Sequence, residues 1–147
     1  AGGIGTGRGM LAAMNLGADA VQIGSRFVAS HESSAHDNFK NTVVDAKEGD
    51  TMLTLKEITP VRLIKNAFYN QVAEAYQDGK SIDDLKTLLG RGRAKKGMFE
   101  GDLIEGELEI GQISGIIHEI KPAADIVEEI ISEFKLARDE QHTKFNF

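Results

Sequence analysis

The 147 residues amount to one ordinary domain, 41% hydrophobic and 27% charged, a composition that supports a packed core rather than disorder. Asp and Glu outnumber Lys and Arg by 23 to 17, a net charge of -6, which argues against nucleic acid as a partner because such affinity rests on Lys and Arg displacing counterions from phosphates. The absence of cysteine excludes disulfides and thiolate chemistry and fits a reducing cytoplasm, and no apolar run reaches the roughly 20 residues of a membrane helix.

The chain opens on Ala1-Gly2-Gly3-Ile4-Gly5-Thr6-Gly7, a glycine loop of the kind that a preceding strand normally holds. We therefore expect these residues to continue from an upstream segment that supplies that strand. Residues 8 to 16 (RGMLAAMNL) read as a helix stopped by Gly17. Residues 18 to 23 (ADAVQI) read as a short buried parallel strand ending at Gly24. A second helix is expected over residues 33 to 47, capped by Ser33 or Ser34 and facing the core with Phe39, Val43 and Val44.

Residues 51 to 55 suit a short strand, and the apolar spacing from Val61 to Tyr76 after Pro60 predicts one helix ending at Gly79. Ser81 and Gly90 bracket a further helix, followed by the basic cluster Arg91 to Lys96, read as a solvated loop or helix end. Glycines at 97, 101, 106, 111 and 115 make that stretch loop-rich, leading into a short helix at 113 to 120. Pro122 then starts a long helix with Ile126, Val127, Ile130, Ile131 and Phe134 on its apolar face, and the polar tail from Asp139 should fray.

Alternating loops, helices and strand place the chain in the α/β class. Two glycine-centred loops, Ala1-Gly2-Gly3 and Gly24-Ser25, stand about twenty residues apart, each where a strand would deliver its C-terminal end. Glycine lets backbone amides approach a ligand closely, and a (β/α)8 barrel builds its phosphate site from the loops after strands seven and eight. The first loop lacks the G-x-G-x-x-G of a dinucleotide crossover and the Gly-Lys-Ser/Thr of a P-loop. His31, His36, His118 and His142 have no metal-binding spacing, so no metal is expected.

Residues 1 to 30 (AGGIGTGRGMLAAMNLGADAVQIGSRFVAS) closely resemble the nitronate monooxygenase and enoyl-acyl-carrier-protein reductase II family of FMN-dependent barrels. The first motif also resembles the phosphate loop of IMP dehydrogenases. DTML at 50 to 53, PVRLIKNAF at 60 to 68 and EGDLIEGELEIGQISG at 100 to 115 narrow the resemblance to the flavin family. It implies the C-terminal portion of a (β/α)8 TIM barrel with additional C-terminal helices: residues 1–48 as the last barrel elements and 49–147 as an extension packed on them. It further implies FMN as cofactor, its phosphate held by Ala1, Gly2, Gly3, Gly24 and Ser25, with Arg26 either adding charge to the phosphate or pairing with an acidic neighbour.

Gln112 either approaches the flavin or merely starts a helix. The family's catalytic histidine lies ahead of the first loop, so none of the four histidines here matches it, and no catalytic residue is assigned within the chain. The implied activity is NAD(P)H-dependent reduction of enoyl thioesters or oxidation of nitronates, with a lean to the former on the IKN and GQIxG segments; the alternative is a non-catalytic phosphate-binding piece. The expected partners are a small-molecule or acyl-thioester substrate, the companion barrel segment and a second copy in a homodimer, with no membrane.

Overall fold

The computed structural model describes residues 1–144. Helix α1 (Gly7–Asn15) starts at Thr6, whose hydroxyl accepts from the Gly9 amide, and stops at Gly17, where φ of +97° lets Gly17 and Ala18 donate back to the Met14 and Ala13 carbonyls. The following residues 18 to 24 form no strand, with Ala18 and Ala20 exposed. A parallel strand is held by neighbours on its edges, and the described residues provide none there.

Helix α2 (Ser25–Val28) leads by a turn to α3 (Asp37–Asp45). The cap of α3 is His36, whose Nδ1 accepts from the Asn38 amide, rather than Ser33 or Ser34, because His36 is fixed by its own amide donating to the Met98 carbonyl. Phe39 and Val43 are buried as expected.

Strands β1 (Thr51–Thr54) and β2 (Val61–Ile64) form an antiparallel pair, with Met52 opposite Leu63. The single helix expected from Val61 is therefore a strand followed by α4 (Ala67–Gln77), capped by Asn66. Apolar spacing at Leu63, Ile64, Ala67 and Phe68 matches a helix, but β-branched Val61 and Ile64 suit a strand, and Arg62 to Ile64 gain sheet partners on both sides. On the far side of β2, residues 107 to 110 run antiparallel: Ile64 donates to the Leu108 carbonyl, Ile110 donates to the Arg62 carbonyl, and Leu63 faces Glu109. The glycine-punctuated stretch thus contains a third sheet element rather than loop alone.

Helix α5 (Ile82–Leu89) has a capping box in which Ser81 and Asp84 satisfy each other's amides. Helix α6 (Arg93–Met98) absorbs most of the basic cluster, and Arg93 is half-buried over the Phe68 ring at 4.4 Å, donating to the Leu88, Leu89 and Glu105 carbonyls. A 3-10 turn (Gln112–Ile116) replaces the helix expected at 113 to 120.

Helix α7 (Ala123–Lys144) stays helical past Asp139 because it lies along α1, with Arg8 paired to Glu140 and Asn15 bonded to Gln141. Residues 145 to 147 of the expected fraying tail lie outside the described residues. Of its anticipated apolar face, Ile126 and Ile130 are buried while Val127 and Ile131 are exposed.

Strand period two divides the core at β2. Ile64 points to a cluster with Ala29, Phe39, Val43, Leu108, Ile110 and Ile117, while Leu63 points to the other with Leu55, Phe68 and Val72. No helix among the described residues is long and apolar enough to cross a membrane.

Candidate functional site

The glycines of the N-terminal run separate into two kinds. A Cβ on Gly5 would stand 2.5 Å from the Ile113 Cγ2, and one on Gly7 would stand 2.2 Å from the Phe134 amide nitrogen. These glycines allow α1 to touch the 3-10 turn and α7. Gly2 and Gly3 have φ of +80° and +71° with nothing within 4 Å of a built Cβ, so conformation, not crowding, calls for glycine there. The amide of Gly7 donates to the Glu133 carboxylate at 2.7 Å, so the N-terminal end of α1 already holds an anion from α7.

The second loop approaches the same region from another element. Ser25 Oγ accepts from the Gly111 amide at 3.1 Å, and a Cβ on Gly111 would lie 2.8 Å from that oxygen. Gly5 and Ser25 therefore rest on one segment, 111 to 116. The amides of Gly2, Gly3, Gly24 and Ser25 donate to no group among the described residues. Ala1, Gly2, Gly3 and Gly24 are exposed and Ser25 is half-buried. The Gly111 amide takes one lone pair of Ser25 Oγ, and the hydroxyl proton is free to donate. Unengaged amides in left-handed and pre-helical backbone are the donor set that a phosphate uses, so these residues fit that group.

Arg26 does not join that set. It is 6% exposed and its guanidinium turns to the Glu129 carboxylate of α7 at 2.9 Å, the acidic-neighbour alternative of the sequence reading. Lys121 also reaches Glu129, at 2.8 Å, holding its carboxyl below the usual range. His31, His118 and His142 are exposed, and His36 serves α3 as its cap. Gln112 is exposed at the start of the 3-10 turn.

Beside the second loop, a shallow cleft of about 450 Å³ is lined by Gly24, Ser25, Val28, residues 60 to 62 and residues 109 to 111. Its one acidic side chain is Glu109, which makes no hydrogen bond or ion pair among the described residues and whose carboxyl burial pushes up. Glu107, two residues back on the same sheet face, is 8% exposed and likewise unpartnered; burial first and Glu109 second push its carboxyl up to about 7, with Arg93 opposing. Sequence reading missed both. The alternation Glu107-Leu108-Glu109-Ile110 was the available signal, a half-buried strand pattern hidden by flanking glycines.

The family model for nitronate monooxygenase matches residues 1–133. The chain belongs to the nitronate monooxygenase family. Among curated members of that family, a probable nitronate monooxygenase of Staphylococcus saprophyticus is 33% identical over 135 residues, 90% of this chain and 37% of its own length. One from Bacillus subtilis is 52% identical over 54 residues, 37% of this chain and 16% of its length.

Among solved structures, FabK from Thermotoga maritima is 38% identical with a TM-score of 0.90, covering 98% of this chain and 46% of FabK. Nitroalkane oxidase from Streptomyces ansochromogenes is 30% identical with a TM-score of 0.70, covering 95% of this chain and 40% of that protein. This family member thus spans less than half the length of each.

Proposed function

We propose that this chain is the phosphate-gripping C-terminal part of an FMN-dependent (β/α)8-barrel oxidoreductase that reduces enoyl thioesters with NAD(P)H in the cytoplasm. Residues 1–48 supply the last barrel elements and 49–147 the extension packed on them, with the companion barrel segment completing the active site and a homodimer as the assembly. The observation that carries the reading is the set of four unengaged amides, Gly2, Gly3, Gly24 and Ser25, on two loops that rest on one segment. The likeness to FabK at 38% identity supports the enoyl-thioester substrate over the alternative.

FMN supplies the redox chemistry when bound, and this chain's residues bind and orient it. The Gly2, Gly3 and Gly24 amides would hold phosphate oxygens, with Ala1 at the entry to the first loop and the Ser25 amide and hydroxyl as further donors. None of the four histidines reaches this set, so proton transfer at the reacting atoms falls to the companion segment.

Gly3→Val in the intact protein is the test. A β-branched residue resists φ of +71° and its side chain fills the space above the amides, so the purified variant should lose its yellow flavin. Full flavin content would overturn the phosphate placement. A second reading, oxidation of nitronates, is favoured by the description of the matching family model. Assaying the intact protein with crotonyl thioester plus NADH, and separately with an alkyl nitronate and oxygen, decides between them.

A further inference from the structure

Glu109 is the unexplained group of the candidate site. It lies on the strand-like segment 107 to 110, opposite Leu63 of β2, so it shares a sheet face with the buried Leu63 and Phe68 cluster. That apolar flank is what desolvates it. Yet no donor reaches it among the described residues: Arg93 is committed to Glu105 and three carbonyls, Arg62, which lines the same cleft, spends its Nη1 on Thr51, and Lys65 is exposed without an ion pair. A half-buried carboxyl without a donor is unfavourable unless something brings one.

The geometry indicates what would. Glu109 stands two residues along an extended segment from Gly111, or about 7 Å at strand rise, and Gly111 is the residue bonded to Ser25 of the phosphate loop. All three line the same cleft. A ligand anchored by phosphate at Gly24 and Ser25 would reach Glu109 with the atoms adjoining its phosphate. In a flavin mononucleotide those atoms belong to a polyol chain, a row of hydroxyl donors.

We propose that Glu109 is a cofactor-positioning residue whose carboxyl accepts hydrogen bonds from the polyol hydroxyls next to the phosphate, fixing the direction in which the cofactor leaves the loop. This rests on the phosphate reading above. Phosphate-only ligands should be indifferent to Glu109, because they carry no hydroxyl to give it. Simple electrostatics predicts the opposite sign: a carboxylate near a bound phosphate repels it, and removing it would tighten every phosphate ligand.

The test uses the intact protein stripped of flavin, titrated with FMN by fluorescence quenching and with inorganic phosphate as competitor. Glu109→Ala should weaken FMN by about tenfold or more, the range of a hydrogen bond to a charged group, while phosphate competes as in wild type. Glu109→Gln, which keeps an acceptor oxygen, should recover most of the loss. Glu109→Met keeps the length, suits the apolar flank and should fold at least as well as wild type, so it stands in if the alanine variant is unstable; it too should weaken FMN alone. Unchanged or tighter FMN binding in the alanine and methionine variants would overturn the role of Glu109. Failure of the underlying phosphate reading looks different: Gly3→Val would keep FMN and phosphate affinity both intact.

Discussion

The seam between α1 and α7 and the cleft beside Ser25 are built on opposite terms. In the seam, glycine is present because backbone fills the space: Gly7 lies against Ile130 and Phe134, and its amide is capped by Glu133. Arg8, Asn15, Glu140 and Gln141 are partnered across the same contact. At the cleft, Gly24 has open space where a side chain would stand, its amide is unengaged, and Glu109 is half-buried without a donor; Gly2 and Gly3 of the first loop are open and unengaged in the same way. Satisfied groups hold the fold at the seam; the unsatisfied ones are the groups on which the proposed phosphate site rests.

That contrast is broken most directly at Gly7. Gly7→Ala would drive a methyl into the Phe134 nitrogen and Ile130 oxygen, and we expect a loss of about 4 kcal/mol, seen as a large fall in melting temperature. Gly3→Val should cost only about 1–2 kcal/mol for its left-handed backbone while emptying the proposed flavin site. If the two variants melted alike, the seam and the cleft would not differ as described.

Glu107 sharpens the comparison through pH. Its carboxyl is raised from 4.5 to about 7 in the folded chain. Below 4.5 the folded and unfolded forms are both protonated and nothing is lost. As pH rises toward 7 the unfolded chain ionises first, so stability falls, and above 7 the loss is complete. Glu107→Gln should therefore stabilise the protein at pH 8 by on the order of 2–3 kcal/mol and have little effect at pH 4. Equal denaturation midpoints for wild type and variant at pH 8 would show that the carboxyl is solvated after all.

Ser81→Ala, remote from both regions, sets the scale of an ordinary local contact. Losing its half of the capping box should cost about 1 kcal/mol. A stability loss for Gly3→Val far beyond this yardstick would place that loop with the seam.

The local punctuation was legible in the sequence. Gly17 after α1, Ser81 and Gly90 around α5, and Pro122 before α7 act through caps that depend on a few neighbouring residues. What was not legible depended on distant partners. Val61 to Ile64 is a strand because β1 and residues 107 to 110 flank it, and residues 18 to 23 stay unpaired because no described strand lies beside them. Likewise the glycine loops were visible as motifs, but which glycines are packed and which are open depends on α7 and the 3-10 turn, a hundred residues away. Glu109 became a candidate only when its segment proved to be part of the sheet.

The bond between Gly111 and Ser25 also sets a polarity. A serine hydroxyl has one hydrogen, and an oxygen already accepting from an amide turns that hydrogen away from the incoming donor. The Gly111 amide takes one of the two lone pairs of Ser25 Oγ, so a molecule meeting that atom finds one donor and one remaining acceptor site in fixed directions. A single backbone amide next to the sheet thus orients a hydroxyl on a loop that lies 86 residues earlier in the chain.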